Sequence, residues 1–153
     1  MRLVPATIVA SLALGAALAG PAQANSCKFP CFGGESASAS GGSGAVALAS
    51  RYLGTNPTRR SRLWCAEFMN MMERKMGRPG TGSAMARSFA SYGRRVSDPR
   101  PGDIAVMRRR GGGHVGYVMS VSGSKVKIIS GNHGRKVGIG TYPRSRVVAF
   151  VRP

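Results

Sequence analysis

Residues 63–70 read LWCAEFMN and decide the fold, because a single cysteine there begins the main helical pattern of the chain. Apolar side chains recur at helical spacing between residues 63 and 76, and Gly77 with Pro79 ends the pattern. A helix packed in a core explains this stripe, but it does not explain a cysteine in the first turn. Because free N–H groups at a helix start lower the pKa of a thiol, we predict that Cys65 is a nucleophile.

Upstream of this helix, the composition changes twice. Residues 45–52 form a short apolar, alanine-rich stretch that predicts one helix, and a basic loop follows it. Residues 36–44 contain only Ser, Ala and Gly, which is typical of a flexible linker. We therefore predict a folded catalytic domain over residues 45–153, preceded by a cysteine-containing, Ser/Ala/Gly-rich linker over residues 25–44.

The N-terminus has the pattern of a secretory signal peptide. Arg2 precedes an uncharged apolar run, and a small-residue cleavage site ends at Ala24. We predict a signal peptide over residues 1–24, cleavage after Ala24, and a secreted or periplasmic location. Prolines and many small residues interrupt the run, so we expect no permanent membrane span after cleavage, an uncleaved anchor being the alternative.

Downstream, the periodicity changes from helical to extended. Residues 84–91 predict a short helix that Gly93 would close in a left-handed conformation, and residues 100–103 predict a turn. Short segments rich in Val and Ile then predict strands at residues 104–107, 115–121, 125–129, 137–139 and 147–151. Helices followed by strands predict an α+β domain with a mostly antiparallel sheet.

The chain has three cysteines, and pairing is the default in an exported protein. Cys27 and Cys31 are close enough to form a disulfide if residues 28–30 turn, which would leave Cys65 as a free thiol. A bridge from Cys65 to one of the other two is the alternative, and it would exclude a catalytic role for Cys65.

The chain is strongly basic, with 23 Lys and Arg residues against 5 Asp and Glu residues. This charge predicts polyanionic partners, which after export are peptidoglycan and other anionic cell-envelope polymers. A role limited to solubility and loose surface adhesion is an alternative explanation of the charge. One Trp and scattered Tyr residues form no stacking array, so we predict no specific nucleic-acid partner.

Acyl transfer by a cysteine requires a base, and the chain has two histidines. His114 begins a predicted strand that would fix its side chain, whereas His133 falls in a glycine-flanked turn. We therefore predict His114 as the base. Asn132 would orient it, because an amide oxygen that accepts the imidazole N–H fixes the tautomer. The backbone N–H of Cys65 is the predicted oxyanion donor.

A cationic loop precedes the predicted base. The loop contains a run of three arginines, Arg108, Arg109 and Arg110. Three glycines ending at Gly113 then lead to His114, so the predicted hairpin has a basic tip next to the imidazole. We predict that this tip holds an anionic or polar substrate, a merely solvated loop being the alternative. Trp64, which precedes the nucleophile, completes the predicted substrate-binding set together with Gly113.

Six blocks of sequence occur in a recognisable order. They read WCA-x-F-x-N at residues 64–70, GTGSA-x-ARS at 80–88, PGDI at 101–104, GHVGYV at 113–118, GN at 131–132 and YP-x-SRV at 142–147. Together they resemble the CHAP family, the cysteine, histidine-dependent amidohydrolase/peptidase branch of papain-like bacterial cell-wall hydrolases. The resemblance covers residues 45–153, and several ordered blocks are far more specific than any single one.

This resemblance implies a papain-like α+β fold, with N-terminal helices packed on a small antiparallel β-sheet. It also implies cleavage of an amide bond of peptidoglycan, as an N-acetylmuramoyl-L-alanine amidase or a peptide endopeptidase, with Cys65 as nucleophile and His114 as base. Many relatives carry an acid two residues before an asparagine on the next strand. Here that position is Ser130, which leaves Asn132 alone to orient the base. The calcium-binding acidic cluster of some members has no counterpart, so we predict neither a metal nor a cofactor.

Two functions therefore remain open from the sequence. The first is an exported, monomeric peptidoglycan hydrolase that uses Cys65 and His114, held on the wall by its basic surface. The alternative is a non-catalytic cationic protein of the same fold that binds the cell wall or the membrane.

Overall fold

The computed structural model describes residues 41–153 of the chain. The predicted signal peptide and most of the predicted linker lie outside the described residues, as do Cys27 and Cys31 with their predicted pairing. Among the described helices, none is long and apolar enough to cross a membrane.

Two α-helices precede the sheet, α1 at Gly41–Ser50 and α2 at Cys65–Lys75. α2 confirms the main predicted helix, and Gly77 follows its end with a φ of 76°. α1 begins earlier than predicted, inside the segment expected to be linker. Ala45 and Ala49 lie one helical turn apart and are both fully buried, so they hold α1 against the core.

A six-stranded sheet follows the helices. Its strands are β1 (Arg94–Arg95), β2 (Ile104–Arg109), β3 (Gly112–Ser122), β4 (Lys125–His133), β5 (Lys136–Pro143) and β6 (Val147–Arg152). Their spatial order is β1-β6-β2-β3-β4-β5, and each pair of neighbours is antiparallel. Helices followed by an antiparallel sheet confirm the predicted α+β class.

The five predicted strands coincide with β2 to β6, and each observed strand is longer than its prediction. The sequence pattern misses β1, because its two residues are exposed arginines without alternation. The predicted short helix is a 3-10 helix at Ala86–Ser91. Gly93 does not adopt the predicted left-handed conformation. A Cβ atom on Gly93 would lie 2.3 Å from the carbonyl oxygen of Arg152, so this glycine is required by a close approach to β6.

α2 packs directly on β3 and β4. Gly131 of β4 allows this approach, since a Cβ atom there would lie 2.6 Å from Phe68 Cβ and 2.7 Å from the Trp64 ring. Both aromatic side chains are fully buried. The first turn of α2, which carries Cys65, is therefore held against the middle of the sheet.

A buried carboxylate fixes the other end of α2. Glu73 is fully buried and accepts hydrogen bonds from the hydroxyls of Tyr117 and Tyr92 and from the Arg78 guanidinium, whose Nη2 lies 2.8 Å from Oε1. Burial and the charge of Glu73 raise the pKa of Tyr117, so this hydroxyl remains a donor. Because a buried charge without partners is costly, the three donors keep this end of the helix in one position.

Both edges of the sheet are short or covered. β1, at one edge, has only two residues, both arginine. At the other edge, residues 53–55 bond to β5, where Gly54 N–H donates to the Val137 carbonyl at 2.9 Å and Val137 N–H donates to the Thr55 carbonyl at 2.7 Å. β5 ends at Pro143, which has no N–H group to donate.

Candidate active site

Cys65 is the first residue of α2, and only 5% of its surface is exposed. Within residues 41–153 its thiol is free. Burial raises the pKa of this thiol above its ordinary value, although hydrogen bonds from the backbone N–H groups of Val115, Ala66 and Cys65 itself and the charge of Arg109 lower it. The N–H groups at the helix start therefore lower the pKa as predicted, but desolvation outweighs them and the net pKa of the thiol is raised.

His114 lies near the start of β3 and is 3% exposed. Its Nε2 atom lies 2.9 Å from the Ser130 hydroxyl, while its Nδ1 atom is buried and has no hydrogen-bond partner among the described residues. Burial, together with the charges of Arg109, His133 and Arg146, lowers the pKa of His114 to about 4. The imidazole is therefore neutral at neutral pH.

The start of α2, with the predicted nucleophile, packs near the strand that carries the predicted base. Val115 directly follows His114 on β3, and its N–H is among the backbone groups that lower the pKa of the Cys65 thiol. The close packing of α2 on β4 over Gly131 holds Trp64 and Phe68, which flank Cys65 in the sequence, against the sheet. Two segments that are distant in the sequence, α2 and β3, thereby come into contact.

The hydrogen-bond partner of His114 is Ser130 and not Asn132. Ser130 is fully buried in β4, the neighbour of β3, so its hydroxyl reaches the imidazole across the strand pair. No hydrogen bond among the described residues joins Asn132 to His114. A break in register separates Ser130 from His133, and Asn132 within it has a φ of 57°. The sequence pattern predicted that Asn132 orients His114. The structure shows the contact with Ser130 instead, at the position where many relatives carry an acid.

Two cavities open on either side of the pair. The basic cavity adjoins the imidazole and is lined by Met107, Arg108, Arg109, His114, Asn132, His133, Gly134, Tyr142 and Arg146. The apolar cavity adjoins the thiol and is lined by Leu63, Cys65, Ala84, Met85, Ala86, Arg87 and the glycines Gly111 to Gly113. A third cavity shares Arg109 and Asn132 with the first and Leu63 and Gly111 with the second. The third cavity therefore borders both of the others through shared lining residues, and the three together are called the cleft; Cys65 and His114 line different cavities of it.

The structure separates the predicted substrate-binding residues. Arg108 and Arg109 line the basic cavity, and Arg110 lines the third cavity. Gly113 lines the apolar cavity, where a Cβ atom on it would lie 3.1 Å from Ala86 Cβ. Trp64 is fully buried, so it belongs to the core and cannot contact a substrate. Its position before the helix directs the ring onto Gly131, which explains why a neighbour of the nucleophile is not part of the cleft.

Leu63 is a site residue that the sequence pattern does not reveal. It has a φ of 56°, a conformation that is unfavourable for a bulky side chain, and 66% of its surface is exposed. Met85, on the opposite wall of the apolar cavity, is 67% exposed. Two large apolar side chains therefore stand in solvent at the entrance to Cys65, an arrangement typical of a binding surface rather than a core.

The described residues contain no group of three or more His, Cys, Asp or Glu side chains placed to bind a metal ion. In the basic cavity, His133 and Tyr142 form a polar pair whose Nδ1 and hydroxyl atoms lie 3.1 Å apart.

Comparison with known families identifies one match. A family model described as the CHAP domain matches residues 56–132, which is half of the chain. The matched range contains Cys65, His114, Ser130 and Asn132. No curated protein matches the chain significantly.

Proposed function

We propose that this chain, which belongs to the CHAP-domain family, is an exported peptidoglycan hydrolase that cleaves an amide bond through Cys65 and His114. Members of this family are typically cysteine, histidine-dependent amidohydrolases. The observation that carries the proposal is the geometry of His114. Its Nε2 atom lies 2.9 Å from the Ser130 hydroxyl, its Nδ1 atom is without a partner among the described residues, and the N–H of the next residue, Val115, is among the groups that lower the pKa of the Cys65 thiol.

The proposed fold assignment is papain-like, with the N-terminal helices packed against the antiparallel sheet. Contacts of α2 with β3 and β4 support it, because α2 begins at Cys65 and β3 carries His114. In this arrangement the helix start supplies both the thiol and free backbone N–H groups.

In the proposed first step, His114 acts as the base through Nδ1. The proposed mechanism requires the Ser130 hydroxyl, 2.9 Å from Nε2, to accept the Nε2–H, because this tautomer leaves a lone pair on Nδ1. As the sulfur attacks the carbonyl carbon, Nδ1 takes the thiol proton, and the negative charge moves to the carbonyl oxygen. The N–H of Cys65, the first residue of α2, is the proposed donor to that oxygen.

In the second step, the imidazolium gives its proton to the leaving amine, and the carbon–nitrogen bond breaks to leave a thioester on Cys65. A water molecule then attacks the thioester while Nδ1 takes the water proton. The carboxylic acid product leaves, and the proton returns to the sulfur. Ser130 holds the ring in one orientation through both half-reactions without carrying charge.

Export and wall binding complete the proposal. The signal peptide over residues 1–24 would deliver a monomeric protein to the secreted or periplasmic space. Cleavage removes Arg2 and lowers the net charge from +18 to +17, which favours peptidoglycan and anionic envelope polymers as partners. One observation favours the alternative of a non-catalytic binding protein, namely that a serine rather than a carboxylate holds His114. The two functions make opposite predictions for Cys65.

Digestion of purified peptidoglycan sacculi tests the proposal. We expect Cys65→Ala to lose roughly a thousandfold or more of the rate of fragment release while still binding sacculi. Lys75→Ala, at the exposed far end of α2, is the control and should act like the native protein. Mass spectrometry of the released muropeptides would identify the bond. Undiminished release by Cys65→Ala would overturn the proposal, and binding without release by the native protein would establish the alternative.

A further inference from the structure

We propose that the basic cavity is a subsite for a carboxylate on the amine-side fragment of the substrate, next to the bond that is cut. This inference rests on the proposed function and names the chemistry of the substrate that the site accepts. Arg109 and Arg146 are the residues that would bind the carboxylate, with the Tyr142 hydroxyl and the Asn132 amide as neutral donors.

The charge of the cavity is uncompensated. None of the residues that line the basic cavity is acidic. Three of the four acidic residues in the described part of the chain are engaged elsewhere, in the pairs Glu67 with Arg60, Glu73 with Arg78, and Asp103 with Arg152. The cavity therefore concentrates arginine charge beside a neutral imidazole with no protein anion to balance it, which is the electrostatic pattern of an anion site.

The cavity is also shaped around one aromatic side chain. The Tyr142 ring lies 6.1 Å from the His114 ring, and the Arg146 guanidinium lies 5.9 Å from the Tyr142 ring centroid. His133 Nδ1 lies 3.1 Å from the Tyr142 hydroxyl and holds that end of the side chain. Arg146, Tyr142 and His114 thus follow one another along one wall of the basic cavity. An anion bound by Arg146 would therefore lie near the bond that His114 helps to cleave.

The chemistry of the reaction decides which fragment enters this cavity. His114 must deliver a proton to the leaving amine, so the amine-side fragment lies against the imidazole, which lines the basic cavity. The acyl-side fragment is bonded to the Cys65 sulfur, which lines the apolar cavity. The substrate that matches both walls therefore has a small apolar group on its acyl side and a carboxylate on its amine side.

The size of the cavity favours a single carboxylate over a phosphate polymer. Its volume is about 280 Å³, which suits one amino-acid-sized group. The planar guanidinium of arginine binds a carboxylate with two parallel hydrogen bonds. An anionic polymer would instead contact the exposed arginines over a longer surface.

Binding of a carboxylate there would also assist the reaction. Arg109, Arg146 and His133 disfavour the imidazolium form of His114, and Ser130 carries no charge to offset them. A substrate carboxylate paired with Arg109 and Arg146 removes that repulsion at the moment when the ring must accept a proton. The substrate would thus supply the negative charge that relatives obtain from an acidic residue.

Two synthetic muropeptides that differ only in this group test the proposal. One carries a free carboxylate on the amine-side residue, and the other carries the carboxamide. We expect kcat/KM of the native protein to fall about tenfold or more for the carboxamide, the usual effect of losing a charge-assisted hydrogen bond. Arg109→Gln with Arg146→Gln should cut both peptides at the lower rate, whereas the control Arg74→Gln, an exposed arginine on α2, should keep the preference.

A binding measurement separates this proposal from the proposed function. Calorimetry with Cys65→Ala should give tighter binding of the carboxylate peptide than of the carboxamide peptide. If neither peptide is hydrolysed but the binding preference is present, the subsite stands and the proposed function fails. If both peptides are cut and bound equally, the subsite is overturned and the proposed function stands. Competition by a phosphate wall polymer with no difference between the peptides would assign the arginines to the polymer and would also overturn the subsite.

Discussion

The two sides of the cleft have opposite chemistry, and each contains one of the two proposed catalytic groups. The apolar cavity holds a thiol whose pKa is raised by burial, and the basic cavity holds an imidazole whose pKa is lowered by burial and by nearby cations. Each environment therefore favours the neutral form of its own group. At neutral pH the Cys65 thiol and the His114 imidazole are therefore both uncharged, so in the proposed reaction charge separation would accompany the attack on the substrate.

Acidification, which protonates the His114 imidazole, should change the difference between the two cavities most strongly. His114 has a pKa of about 4 in the folded protein against 6.5 in the unfolded chain, so its neutral form contributes stability that is present above pH 6.5 and is lost as the pH falls to 4. This loss corresponds to about 3 kcal/mol in the free energy of unfolding. Urea denaturation between pH 7 and pH 4 would measure it.

His114→Gln is the matched control for this measurement. All other titrating groups are shared by the two proteins, so the difference between their pH profiles isolates the imidazole. We expect the variant to lose less stability over this range than the native protein. Parallel profiles would show that His114 is not held in its neutral form.

A smaller effect is expected from moving α2, the helix that begins at Cys65, away from β4. Gly131→Ala would place a Cβ atom 2.6 Å from Phe68 and 2.7 Å from the Trp64 ring, which forces α2 away from β4. We expect a loss of about 2 kcal/mol in the free energy of unfolding, with a fall in activity beyond the loss of folded protein. Gly44→Ala adds a methyl group with no atom within 4 Å and should leave both unchanged or slightly improved. Equal behaviour of the two variants would contradict the role of Gly131.

The smallest effect is expected where the two environments are joined, at Ser130. Ser130→Ala leaves Nε2 of His114 without its partner and should lower kcat about tenfold, on the order of 1.4 kcal/mol. Ser130→Asp places a carboxylate at the same atom and should raise the pKa of His114, because an opposite charge favours the imidazolium. The acid limb of the pH–rate profile would then move to higher pH. If the pH–rate profile of Ser130→Asp does not move, the residue at position 130 does not orient the His114 ring.

Most of the elements could be predicted from the sequence, and so could the choice of Cys65 and His114 as candidate nucleophile and base, and the reason is local. Cys65 begins an amphipathic helix and His114 begins a Val-rich strand, so both features are visible in short windows of sequence. Ser130 was not assigned the orienting contact, because Ser130 and Asn132 lie two positions apart and period-2 alternation treats them alike. The break in register between Ser130 and His133 decides between them, and it depends on pairing with β5.

Two further differences between prediction and structure arise because the depth of burial of a side chain is difficult to predict from sequence patterns. The helix start at Cys65 was expected to lower the pKa of the thiol, yet the depth of the site reverses the sign. Trp64 was assigned to substrate binding from its position beside the nucleophile. Its ring instead fills the space above Gly131, a contact between segments distant in the chain.

The edges of the sheet bear on how the protein behaves when crowded. A protein with a net charge of +18 accumulates on polyanions, and high local concentration favours strand-to-strand pairing between copies wherever a strand edge is open. Here β1 offers two arginines, and residues 53–55 occupy the outer side of β5 before Pro143 ends it. Copies of the protein can therefore coat a polyanionic surface densely without pairing through their strand edges into β-aggregates.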